Sequence, residues 1–191
     1  MQPFTATEAH AAVRAMNRST SPGSDGFGPA FYKAAWPTVS AAVMKLAWEF
    51  QSGEAELKRL NRAYIVMIPK STTALEASEY RPICLQNCSL KIVSKMLTTR
   101  LQHQIPRLID PDQIGFIKGR SISENFVYVM ELVQCCHRRK LPTLVLKLDF
   151  AKAFDSVHWE SLSAVLAARG FPLTWIKWMT SLLETSSSQC W

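Results

Sequence analysis

The segment Thr143–Phe150, TLVLKLDF, constrains the fold of this chain more than any other stretch. Side chains alternate along a strand, so Leu144, Leu146 and Leu148 fall on one side and Val145, Lys147 and Asp149 on the other. The spacing predicts a strand over 143–149 whose leucine face needs a covering layer and whose backbone needs a neighbouring strand. Asp149 at its C-terminal end has two readings. It holds a hard cation such as magnesium at the mouth of a cleft, or it ends the strand by bonding to the turn that follows. Past that turn, Asp155 or Ser156 is expected to cap a helix on which Trp159, Leu162 and Leu166 share a face, with Gly170 as its stop.

Upstream, helical and strand periods alternate. Thr5 and Glu8 make a capping box ahead of Ala9, Val13 and Met16, which predicts a short helix to about Asn17. Asn17–Pro29 concentrates Ser, Gly, Pro, Asp and Asn and reads as a loop, with Pro29 opening the next helical stretch. From Thr38 to Phe50, Val39, Val43, Leu46, Ala47 and Phe50 follow helical spacing toward a stop at Gly53. AYIVMIPK (63–70) and YRPICL (80–85) read as a strand pair with Lys70 and Arg81 near its connecting turn. Leu90, Val93, Leu97 and Leu101 mark an amphipathic helix carrying Lys91, Lys95 and Arg100 on its other faces. The Pro- and Gly-containing stretch 110–125, DPDQIGFIKGRSISEN, is loop-like, and Phe126–Arg139 is helical again. Pro172 starts a last helix bearing Ile176, Met179 and Leu183, and SSSQCW closes the chain with no structural signal.

Hydrophobic residues at 48% and charged residues at 19% describe a globular protein and exclude the disordered class. The 22 basic against 15 acidic residues, net +7, favour an anionic partner such as nucleic acid. Five cysteines without a regular spacing argue against a secreted disulfide framework and for free thiols. Zinc around Cys84, Cys88 and Cys135-Cys136-His137 lacks the paired C-x-x-C spacing that such sites use. Neither a signal peptide nor a membrane span is expected, since every long apolar run is broken by a charge before ~18 residues. An intracellular location follows as the expectation, with nucleus and cytoplasm left open.

The stretch LKLDFAKAFDSVHW resembles the first palm motif of reverse transcriptases from non-LTR (LINE-type) retrotransposons. SPGSDGF, YIVMIPK, YRPICL, KIVSKMLTTRL and DQIGFIKGRSISEN resemble, in the same order, that family's N-terminal extension, fingers strands, fingers helix and template-side segment. The resemblance covers nearly the whole chain. It implies an α+β, helix-rich architecture of right-hand polymerase fingers with an incomplete palm. Residues 1–60 would be the N-terminal extension, 61–142 the fingers and 143–191 the start of the palm.

By position, the resemblance implies that Asp149 is a magnesium ligand and that the Phe150 main-chain carbonyl is another. Lys70 and Arg81 match residues that grip the incoming dNTP, a point charge and a bidentate fork for phosphate. Backbone amides around Lys152 and Ala153 would meet the triphosphate, and Phe154 resembles the aromatic gate that crowds a ribonucleotide's 2′-hydroxyl. Gln113, Gly115, Lys118 and Arg120 match the segment along the RNA template, and the partners implied are that template, a DNA primer and dNTP. The family pattern continues with an adjacent pair of aspartates on a hairpin, and this sequence holds no Asp-Asp pair. The isolated chain is therefore expected not to polymerise and to leave the leucine face near Asp149 uncovered. The alternative is a non-catalytic RNA-binding remnant, domesticated or maturase-like. A magnesium phosphohydrolase reading meets Ala151 where that class commonly places a second aspartate.

Overall fold

The computed structural model describes residues 1–190. In chain order the elements are α1 (Ala6–Ala15), α2 (Pro29–Ala34), α3 (Trp36–Ser52), α4 (Leu57–Leu60), β1 (Arg62–Pro69) and β2 (Tyr80–Gln86). They continue with α5 (Cys88–Gln102), α6 (Ile105–Leu108), α7 (Ile122–Arg138), α8 (Trp159–Ala168), α9 (Leu173–Glu184) and β3 (Ser187–Cys190). Among the described residues the architecture is mixed α/β, with one small sheet of order β2-β1-β3. The chain divides into two compact units, one formed by Met1–Thr99 with the segment from Trp159 on, the other by Arg100–His158.

Local chemistry accounts for most elements of the first unit. Thr5 caps α1 with its hydroxyl on the Glu8 amide, and the Glu8 carboxylate returns to the Thr5 amide at 2.9 Å, so the box forms as expected. Gly53 ends α3 in the left-handed conformation, φ 85°. β1 and β2 pair antiparallel with Ile65 opposite Cys84 and Pro69 opposite Tyr80. Pro82 has no amide to give, which suits β2 to a sheet edge.

The core gathers Ala9, Ala12 and Val13 of α1, Val43, Met44, Ala47 and Phe50 of α3, and Leu90, Ile92, Val93, Met96 and Leu97 of α5. Phe4, Phe50 and Trp178 form a cluster with ring centroids 5.6 to 6.5 Å apart. Trp178 keeps its indole N–H satisfied on the Gln51 carbonyl at 3.2 Å.

Two buried asparagines join distant segments. The Asn61 amide donates to the Leu182 carbonyl at 2.7 Å and the Thr185 hydroxyl at 3.1 Å, while its own oxygen accepts from Gln86 at 2.8 Å. Asn87 accepts from the Ser24 hydroxyl and the Asp25 amide and donates to the Leu60 carbonyl. Lys91, on another face of α5, donates to the Ser21 carbonyl at 3.1 Å. Loop 17–29 is therefore pinned to the start of α5.

Several expectations need correction. The strand expected over 143–149 does not form. Leu144 is 90% exposed and Leu146 and Leu148 are each 72% exposed, so among the described residues no layer covers the leucine face and no ladder satisfies the backbone. Instead, the free edge of β1 is taken by β3, which pairs parallel to it with Arg62 opposite Ser187. Neither Asp155 nor Ser156 caps a helix, because α8 begins only at Trp159 and both amides close a turn on the Lys152 carbonyl. On α9 the buried residues are Trp175 and Trp178, while Ile176, Met179 and Leu183 are half-buried. α7 starts at Ile122, four residues before the expected Phe126.

Two measurements check this packing. A Cβ at Gly23 would stand 2.6 Å from the Asn87 Cα and closer still to the Asn87 amide nitrogen. Gly23→Ala should therefore cost about 1–3 kcal/mol in urea unfolding, and an unchanged midpoint would contradict the pinned loop. Burial pushes the Cys88 thiol up to about 11, whereas Cys84 lies exposed. Iodoacetamide at neutral pH should mark Cys84 in the native chain and reach Cys88 only after denaturation, as read by peptide mass mapping.

Candidate functional site

The second unit presents two turns that carry most of the residues singled out from the sequence. In the first, the Gln113 amide bonds to the Asp110 carbonyl and the Ile117 amide to the Ile114 carbonyl. The Arg120 guanidinium donates to the carbonyls of Asp110, at 2.6 Å, and Gln113, so it braces this turn from within. Gly119 has φ 85°, while Gly115 needs no left-handed backbone; the residue that adopts it is Phe116, φ 63°. Gln113 and Lys118 are exposed, and Gly115 and Arg120 are half-buried.

In the second turn, the Lys152 carbonyl accepts from the Asp155 and Ser156 amides at 3.0 and 3.1 Å, with φ 51° at Lys152 itself. The Ser156 hydroxyl adds a bond to the Ala153 carbonyl. Among the described residues no hydrogen bond engages the amides of Lys152 and Ala153, which remain open to an acceptor. Asp149 and Phe150 precede this turn and are exposed. A ring contact joins the two turns: Phe116 meets Phe154 edge to face, centroids 5.8 Å apart and planes at 82°. Sequence reasoning missed Phe116. The available signal was a bulky residue where a tight turn ordinarily takes glycine or asparagine.

Lys70 and Arg81 belong to the first unit, at the connecting end of the β1–β2 hairpin, and both are exposed. The Lys70 ammonium rests on the Ser78 carbonyl at 2.6 Å. Glu79 organises the hairpin tip by accepting from the Leu75 and Glu76 amides at 2.6 and 3.0 Å. These bonds, the Glu76 amide first, hold its carboxyl below the usual range, with the Lys70 charge adding to the effect.

Comparison with known proteins identifies the family. The model of the reverse transcriptase (RNA-dependent DNA polymerase) family matches residues 68–190, and the chain belongs to that family. It is 30% identical over 98% of its length to the uncharacterized 149 kDa protein of transposon TX1 from Xenopus laevis. It is also 27% identical, over 93% of its length, to the retrovirus-related Pol polyprotein of a type-2 retrotransposable element of Drosophila melanogaster. A type-1 element polyprotein of Bradysia coprophila is 25% identical over 78% of the chain. The chain spans only 14 to 16% of the lengths of these relatives.

The family generally uses a divalent metal. Asp149 and the Phe150 carbonyl are hard oxygen donors of the kind magnesium takes. Among the described residues, however, no three His, Cys, Asp or Glu side chains gather where they could hold a metal. An ion bound at Asp149 would have to complete its shell from water and phosphate oxygens. No helix among the described residues is long and apolar enough to cross a membrane.

The hairpin tip yields a pH prediction. A carboxyl with a lowered folded pKa contributes stability that is full above its ordinary value and disappears as pH falls through the lowered one. The Leu75 and Glu76 amide resonances should therefore shift together with a midpoint below the 4.5 usual for a glutamate. A midpoint at or above that value would contradict the Glu79 bonds.

Proposed function

We propose that this chain forms part of an RNA-directed DNA polymerase of a LINE-type retrotransposon, contributing surfaces toward nucleotide and template. In this reading residues 1–60 are the N-terminal extension, 61–142 the fingers and 143–191 the start of the palm. The observation that carries it is the contact of Phe116 with Phe154, which joins the template-side turn to the turn following Asp149 inside the family-matched segment.

Each residue then has a physical task. Arg81 grips triphosphate oxygens as a fork, and Lys70 exchanges the Ser78 carbonyl for phosphate. Within the second unit, the open amides of Lys152 and Ala153 donate to phosphate oxygens. Phe154 crowds a 2′-hydroxyl and so favours deoxynucleotides. Gln113, Gly115 and Lys118 border the template, and Arg120 keeps their turn in shape. Asp149 and the Phe150 carbonyl would help hold a divalent ion, which would supply charge neutralisation for the phosphates.

A second reading has its own support. The net charge of +7, which suits an anionic partner without calling for chemistry, supports a non-catalytic RNA-binding remnant. One titration separates the two. Under the polymerase reading, magnesium strengthens dTTP binding to the isolated chain, and Asp149→Asn weakens the magnesium-dependent part by about tenfold or more. RNA binding that persists in Asp149→Asn with an unchanged salt slope, and dTTP binding indifferent to magnesium, would replace the first reading with the second.

A further inference from the structure

We infer that Phe116 is a positioning residue for Phe154, and that it sets how strictly the site distinguishes a nucleotide's 2′-hydroxyl from a 2′-hydrogen. This rests on the reading of Phe154 as the sugar-facing residue. Three observations carry it. First, Phe116 occupies the third position of the turn Ile114–Ile117 with φ 63°, a conformation disfavoured for a bulky side chain. Second, nothing at the residue's own position offsets that strain, because Phe116 is 95% exposed and gains almost no burial. Left-handed backbone persists at a bulky residue where the side chain has a task, and glycine would relieve it at once.

Third, the ring's contact is specific. Phe154 is 80% exposed, and the hydrogen bonds of its turn fix the backbone and leave the ring unconstrained. Among the described residues Phe116 is the aromatic partner that meets it, edge to face at 82°. Arg120, bonded to the carbonyls of Asp110 and Gln113, gives the Phe116 turn a braced base. An edge-on neighbour on a rigid base limits the rotation of the Phe154 ring, and a wall rejects one extra oxygen only if it stays in place.

The test measures binding of dATP and ATP to the full chain with magnesium, comparing wild type, Phe116→Gly, Phe116→Tyr and Phe154→Ala. Wild type should prefer dATP, and Phe154→Ala should lose that preference. Phe116→Gly should cut the preference by about threefold or more. It should do so mainly by admitting ATP, with a melting temperature equal to or above wild type because the turn strain is gone. Phe116→Tyr, which keeps the ring edge, should retain the preference. If Phe116→Gly keeps the wild-type ratio while Phe154→Ala abolishes it, the positioning role is overturned and the sugar-facing reading stands. If wild type and Phe154→Ala treat the two nucleotides alike, that reading fails and the inference falls with it. A Phe116→Gly chain that melts earlier and binds both nucleotides equally weakly would mark Phe116 as structural only, which also overturns the inference.

Discussion

The hydrogen bonds of Asn61 hold the first unit together. Its side chain ties the end of β2, through Gln86, to the end of α9, through Leu182 and Thr185. Its main-chain carbonyl accepts from Ser187 at 3.1 Å, which sets where β3 starts against β1. One residue at 3% exposure thus spans 121 positions of sequence. An asparagine offers donors and an acceptor on one planar group, so it can bridge segments that apolar packing alone would leave free to slide. Emptying any one of these bonds in the interior leaves a polar group without water, at about 1–3 kcal/mol. The sheet and the aromatic cluster of Phe4, Phe50 and Trp178 both depend on α9 staying in that register.

Asn87 does similar work for the loop between α1 and α2. It accepts from Ser24 and Asp25, and glycine at position 23 lets the backbone approach closely enough for those bonds to form. The support is therefore rigid where β1, β2 and α5 meet, while Lys70 and Arg81 stand at the hairpin's exposed end. In the proposed reading this end grips an anion. Cations at the tip of a braced hairpin can reorient toward phosphate without disturbing the core beneath them.

Much of the first unit was legible because its signals are local. The capping box at Thr5, the glycine stop at position 53 and the β1–β2 pair depend on residues close in sequence, and each appears where the pattern puts it. β3 escaped notice because Ser187, Ser188 and Gln189 carry no apolar alternation; what makes them a strand is the free edge of β1 and the Asn61 carbonyl, both remote in sequence. The segment 143–149 erred the other way. Its alternation is strong, but periodicity specifies which face to bury and cannot supply the neighbour that buries it. α9 starts where Pro172 puts it, and its apolar Ile176, Met179 and Leu183 are half-buried, while the residues it buries fully are Trp175 and Trp178, whose larger apolar surfaces the periodicity did not single out.

The same missing ladder decides what kind of site the second unit can offer. On a strand, Asp149 would inherit its direction from the sheet, and its distance to the residues after it would be fixed by the pleat. Here its nearest support is the turn closed on the Lys152 carbonyl, whose two amide bonds bend the chain through a left-handed residue. A turn of that kind holds its shape through a few local bonds, so side-chain contacts with another braced segment must supply what a sheet would otherwise provide. The Arg120-braced turn is such a segment, and the Phe116 ring reaches from it to Phe154. The order of the candidate site is therefore carried by one guanidinium, two left-handed residues other than glycine, Phe116 and Lys152, and an aromatic edge.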